Sequence, residues 1–212
     1  MREILEYLIA NFGNLGDADQ LFVLKHCKKR VLRTGDVLLK VDEICTHVWF
    51  IEKGMLAAIQ TEPEKPEDWD YECKDFMNWI LIENDVATGV PSFFLQRPSL
   101  EKIVAQEESI VWEMSRDDLF EGIRTYHGLS YVTMMVIIKY YVDSRFYETC
   151  LRMKRPDLIF QLFRALDSPL LPRLTDKMLM SFLGVTGPTL AKIKAATNNA
   201  KAAGHAKPKK KQ

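Results

Sequence analysis

The residues best placed to act on a partner molecule are cations and hydroxyls near the carboxyl end. Lys192 and Lys194, with Thr186 and Thr189 just before them, are donors suited to phosphate oxygens or to the acceptor edge of a guanine. No comparable set serves an enzyme. A nucleophile needs a base within hydrogen-bond reach, and His26, His47, His127 and His205 stand singly. Glu107-Glu108 and Asp117-Asp118 read as solvated turn and helix-start charges, not as an acid–base pair. Cys27, Cys45, Cys73 and Cys150 lie far apart, with no CxxC pair and no histidines at ligand spacing. A metal site, an iron–sulfur cluster or a haem ligand is therefore not expected, and the cysteines read as reduced thiols of a cytoplasmic protein. The expectation is a non-enzyme without a metal or a cofactor.

Charge separates the chain into two parts. Lysine and arginine balance aspartate and glutamate at 29 each overall, but residues 1–150 hold 16 basic against 26 acidic side chains, and residues 151–212 hold 13 against 3. A basic carboxyl-terminal third is the electrostatic footprint of a surface that meets a phosphate backbone. On charge alone, a solvated basic face followed by a lysine tail fits equally. With 47% hydrophobic and 27% charged residues, the chain can bury one large or two small cores. It shows no secretory leader and no apolar run long enough for a membrane span, so a membrane is not expected as a partner.

These cations need elements to position them. Residues 1–28 carry apolar side chains at helical spacing, broken near Gly13 and Gly16. From residue 29 the pattern becomes short β-rich runs at 30–32, 37–41, 48–51, 56–60, 76–82, 102–106 and 110–114. Turn residues around Gly35 and Gly54 punctuate them, the rhythm of a compact β-roll. The proline- and carboxylate-rich segment 61–72 fits an exposed loop. Ser115 opens a helical region that becomes densely apolar at Tyr131, Met134, Met135, Ile138, Tyr141 and Val142. So apolar a stretch must be covered on two sides, by its own roll and by a second copy in a two-fold dimer; burial within its own domain is the alternative. Thr175 caps a further helix, Gly184 supplies a tight turn and Thr186 caps another, which is the helix-turn-helix plan. Residues 197–212 read as a basic disordered tail.

The order of these parts resembles the Crp/Fnr superfamily up to about residue 196. The stretch 29–38, with its Thr34-Gly35-Asp36 turn, is similar to the family's first strands, and Val48-Trp49-Phe50-Ile51-Glu52-Lys53-Gly54 to the segment that follows. Ser92-Phe93-Phe94, Arg97-Pro98-Ser99 and Ile103-Val104-Ala105 are similar to the branch common in Bacteroidetes, as is Leu183-Gly184-Val185-Thr186 followed by Thr189-Leu190. The resemblance implies an α+β chain: a double-stranded β-helix (jelly-roll-like) of the cyclic-nucleotide-binding type over 1–115, a dimerisation helix region over 116–150, a helical winged-helix or helix-turn-helix domain over 151–196, and the tail. It also implies a homodimeric transcription regulator with double-stranded DNA, a second copy and RNA polymerase as partners.

Two departures qualify what the resemblance implies. The family's phosphate-binding cassette falls on Gly89, Val90, Ser92, Arg97, Ser99 and Leu100, with valine in the position of the ribose-binding glutamate and Ser99 in that of the phosphate-binding arginine. Losing both polar anchors removes about the whole affinity of a micromolar ligand. Neither cyclic AMP nor cyclic GMP is expected to bind tightly, although an effector of another kind could still use the roll. In the recognition helix, Pro188 takes the acidic position and Lys192 the basic one. The alternative is therefore a ligand- or protein-interaction sensor whose degenerate helix-turn-helix reads no defined operator.

Overall fold

The computed structural model describes residues 2–13, 15–61, 75–165 and 168–204. The loop expected at 61–72 lies, beyond Thr61, outside the described residues. Two compact units divide the chain at Asp143/Ser144.

In the first unit, α1 (Arg2–Phe12) buries Ile4, Leu5 and Leu8 on one stripe, and α2 (Asp17–His26) buries Phe22 and Val23. Eight strands follow in two antiparallel four-stranded sheets. One has the order β1 (Lys28–Leu32), β8 (Ser109–Ser115), β3 (His47–Lys53), β6 (Val86–Ala87). The other has the order β2 (Val37–Leu39), β7 (Glu101–Ala105), β4 (Leu56–Thr61), β5 (Asp75–Leu81). Leu32, Leu39, Ile51, Leu56, Ile103 and Val111, from both sheets, are each at most 2% exposed. Each such burial stabilises the fold by about 1.5–3 kcal/mol. Sequence reading missed β6 and the one-and-a-half-turn helix α3 (Val90–Leu95) in this unit. Two and six residues are too few to display a period.

Ser115 accepts a hydrogen bond from the Asp118 amide at 3.1 Å and so caps α4 (Arg116–Thr125). The helical region read as starting there is two helices. Tyr126 closes α4, and α5 (His127–Arg152) begins beyond it. The start of α5 is held by Asp19, a buried carboxylate of α2 that accepts from the Leu129 amide at 2.8 Å and from the Gly16 amide at 2.9 Å. Further along α5, the Tyr140 hydroxyl accepts from the Val86 amide at 2.9 Å and donates to Asp85 at 3.0 Å. Burial raises the Asp85 carboxyl above its ordinary range, and burial raises the Tyr140 phenol well above its own.

In the second unit, α6 (Pro156–Ala165), a 3-10 turn (Leu171–Arg173), α7 (Asp176–Leu183) and α8 (Gly187–Gly204) enclose Ile159, Phe160, Phe163, Leu174, Leu179, Leu183, Leu190 and Ile193. The Phe163 and Phe182 rings stack at 6.0 Å. No strand occurs among the described residues of this unit, so no wing is described there. The boundary read at residue 196 falls inside α8, which continues to Gly204, and residues 205–212 lie outside the described residues. No helix among the described residues is long and apolar enough to cross a membrane.

Gly35 and Gly54 both adopt left-handed backbone, at φ +91° and +105°. Around Gly35 the space is open, whereas a Cβ on Gly54 would stand 2.6 Å from the Ser109 Cα and closer still to its side chain. Gly35→Ala should lower the unfolding free energy in urea by about 1 kcal/mol, from strain alone, and Gly54→Ala by more than about 2 kcal/mol. Equal losses would mean that the backbone at Ser109 gives way.

Candidate effector cassette and nucleic-acid interface

The cassette is built where β6 ends and α3 begins. Gly89 opens α3, its carbonyl accepting from the Phe93 amide at 2.7 Å. A Cβ added there would lie 2.7 Å from Leu39 Cδ2, 3.4 Å from the Ser99 hydroxyl and 3.7 Å from Cys45 Cβ, so side chains already close over the turn. Ser92 is 2% exposed; its hydroxyl accepts from the Cys45 amide at 2.8 Å and donates to the Arg97 carbonyl at 2.6 Å. Ser99 is 3% exposed and donates to the Glu101 carbonyl at 2.8 Å. The Ser99 amide donates to the Glu43 carbonyl at 2.9 Å, and the Ser99 carbonyl accepts from the Asp42 amide at 2.8 Å. Gln96, at φ +51°, donates to the carbonyls of Phe93 and Cys45. Arg116 reaches the Phe93 carbonyl at 3.0 Å while its guanidinium lies over the Phe120 ring.

Of the six cassette residues taken from the sequence, the structure assembles Gly89, Ser92 and Ser99, none of them charged. Val90, Arg97 and Leu100 are exposed. The serine hydroxyls are committed to backbone groups of the same loops. Arg97 stands on the surface, where its charge is solvated and does not oppose the closed turn. Gly89, Ser92 and Ser99 thus form a buried, uncharged corner, and Arg116 is the cation that reaches the end of α3 beside it.

The second candidate surface lies on α7 and α8. The Thr175 hydroxyl accepts from the Met178 amide at 3.2 Å and starts α7, and Gly184 ends it in the left-handed region at φ +63°, its amide donating to Met180. Pro188 sits in the first turn of α8, where no amide proton is required. The Thr186 and Thr189 hydroxyls are 3.1 Å apart, and both residues are exposed. Lys192 is exposed too. Lys194 is half-buried, and its ammonium is ion-paired with the Asp176 carboxylate at the start of α7. Two positions apart on a 3.6-residue turn, the two lysines stand about 160° apart around the axis. They occupy opposite flanks of α8 and do not form one patch. Asp176 was not singled out in the sequence; the helix-start position after Thr175 was the only signal available.

On α5, Tyr131, Met134, Ile138, Tyr141 and Val142 are between 44% and 64% exposed, and Met135 is half-buried. Ile137, of the same apolar stretch, is 44% exposed and stands beside them. Val132 is buried on the opposite side, with Val136 and Tyr140 packed against the core. Cys27, Cys45 and Cys150 are free and buried; burial, then the nearby Asp118 charge, pushes the Cys27 thiol up to about 12. No group of histidine, cysteine and carboxylate side chains fit to hold a metal ion occurs among the described residues.

Residues 29–126 match the family model described as cyclic nucleotide-binding domain, which runs from β1 to just past α4. No curated protein sequence matches the chain. Among solved structures, a CooA mutant from Carboxydothermus hydrogenoformans superposes with a TM-score of 0.62 at 16% identity, over 84% of this chain and 79% of that one. A putative regulator of the crp/fnr family from Eubacterium rectale gives 0.61 at 11% identity, over 88% and 85%. Catabolite Activator Protein from Thermus thermophilus gives 0.54 at 14% identity, over 92% and 87%. At these identities the likeness is one of fold: a β-sandwich of the cyclic-nucleotide-binding kind, a long helix and carboxyl-terminal helices, as in the Crp-type regulators.

Because Ser99 is buried and hydrogen-bonded, restoring the cassette arginine by Ser99→Arg should cost more than about 2 kcal/mol of stability in urea unfolding, whereas Arg97→Ala should change it by less than about 0.5 kcal/mol. A well-tolerated Ser99→Arg would show that the corner opens readily.

Proposed function

We propose that this chain is a homodimeric, DNA-binding transcription regulator of the Crp/Fnr type that works without cyclic AMP or cyclic GMP. The observation that carries the reading is the capped α7–turn–α8 pair, which exposes Thr186, Thr189 and Lys192 in a segment with 13 basic and 3 acidic side chains. Two such pairs, one from each copy, would enter successive major grooves. The roll of residues 1–115 and the helix region 116–150 would carry the DNA-binding part 151–196, and the lysines of the tail would add sequence-independent attraction. The protein would act in the cytoplasm, with RNA polymerase as a further partner, and its local motifs favour the branch common in Bacteroidetes.

Insensitivity to cyclic nucleotides is supported by the closed, uncharged corner around Gly89, Ser92 and Ser99. A phosphate transferred there without a cation loses several kcal/mol of solvation. An effector of other chemistry remains compatible with the roll. The dimer is supported by the apolar stripe of α5, whose large exposed side chains recur at the i, i+3, i+4, i+7 spacing of a helix–helix seam. A sensor reading, with a degenerate helix-turn-helix, draws support from Pro188 in the acidic position and from the pairing of Lys194 with Asp176.

A mobility-shift series on the gene's own upstream duplex and on a scrambled one, over a range of salt concentrations, separates the two readings. The regulator retains its own duplex selectively at moderate salt, unchanged by added cyclic AMP. Lys192→Ala lowers the slope of log K against log salt by about one. Equal, steeply salt-dependent binding to both duplexes would instead support the sensor reading. Sedimentation tests the dimer: the parent chain should run as a dimer, and Ile138→Glu, at an exposed position, as a folded monomer. A monomeric parent chain would remove the two-fold reading.

A further inference from the structure

The ion pair between Lys194 and Asp176 has no equivalent among the described residues at Lys192, on the opposite flank of α8. Asp176 is the first residue of α7, directly after the capping Thr175, and its side chain is 69% exposed, against 36% for Lys194. The pair is therefore at the surface, where such a bridge adds little to stability. Its consequence is electrostatic. A helix lying in a major groove has a phosphate wall on either side, and each wall rewards a net positive charge by releasing counterions. Lys192 offers that charge to one wall. The Lys194–Asp176 pair offers none to the other, because a carboxylate accompanies the ammonium.

Resting on the DNA-binding reading above, we propose that Asp176 sets the affinity of this interface by cancelling Lys194. One flank of the recognition helix thereby adds nothing to sequence-independent attraction, and retention on a duplex depends more heavily on the base edges that the exposed face can reach. Asp176 is an affinity-setting residue acting through Lys194 and by its own repulsion of phosphate. It is not itself a contact to DNA.

The test is a salt series of duplex binding with the full chain and three variants: Asp176→Asn, Lys194→Ala and the double variant. Cancellation predicts that Asp176→Asn binds about threefold tighter or more at low salt and steepens the slope of log K against log salt by about 0.9. Lys194→Ala, which leaves the carboxylate alone, weakens binding and flattens the slope by a similar amount, and the double variant returns to the parent values. The gain of Asp176→Asn should be larger, relative to its own duplex, on the scrambled one. Asp176→Ser, which keeps a residue suited to a helix start, repeats the first arm if asparagine disturbs α7, and thermal melts confirm that each variant is folded. A double variant as weak as Lys194→Ala, or an Asp176→Asn indistinguishable from the parent, overturns the inference and leaves the regulator reading standing. A parent chain that retains no duplex at any salt removes that reading, and the inference with it.

Discussion

The seating of α5 on the β-roll depends on two polar contacts, a buried one at the start of the helix and a half-buried one along its length. Asp19 accepts from the Leu129 amide, one of the first donors of α5 that no helical carbonyl can satisfy, and Tyr140 bridges the Val86 amide and the Asp85 carboxyl. Breaking the contact at Asp19 leaves the buried Leu129 amide without its partner, a loss of about 1–3 kcal/mol. Apolar packing of Leu129, Val132 and Val136 alone would allow the helix to roll about its axis. The polar contacts remove that freedom and determine which residues remain outside. The exposed stripe of Tyr131, Met134, Ile138 and Val142 is the complement of this anchored face. Gly13 and Gly128 belong to the same constraint: a Cβ on Gly13 would press on the Tyr131 ring at 2.8 Å, and one on Gly128 on Asp19 at 2.7 Å.

The corner around Gly89, Ser92 and Ser99 satisfies its own polar groups. A phosphate site requires donors left unsatisfied by the protein and a cation to offset the anion. At this corner the hydroxyls of Ser92 and Ser99 and the Ser99 amide each face a carbonyl of the 42–45 or 97–101 segments, and Leu39 stands close beside Gly89. These hydrogen bonds tie the loops at 42–45 and 97–101 to the start of α3. The corner gains rigidity without an external partner, and the exposed Arg97 has no structural reason to turn inward.

Residues 30–32, 48–51 and 110–114 announced their strands through β-branched and aromatic runs bounded by turn residues. Thr175 and Gly184 announced the start and end of α7 because capping is a local matter, decided by one side chain and the nearest amides. The fold and the helix-turn-helix pair were legible for that reason. What remained hidden is non-local. Nothing around Asp19 marks it as the anchor of a helix that starts more than a hundred positions later, and Tyr140 reads as one more apolar residue until Asp85 and Val86 come beside it. The break at Tyr126 and the short α3 were lost because neither displays a full period.

The two lysines of α8 mark the boundary between what composition and geometry can each decide. Counting charges places both in the basic third and makes them equal, yet the helical repeat puts them on opposite flanks, and among the described residues only Lys194 has a carboxylate for a neighbour. The effective charge of a surface is the sum of what a partner meets at close range, since at 0.15 M salt anything beyond about 8 Å is largely screened. On that scale Lys192 counts as one positive charge and Lys194 with Asp176 as none. A basic domain therefore does not present a uniformly basic helix, and the discrimination such a helix achieves depends on how little of its grip is indifferent to sequence.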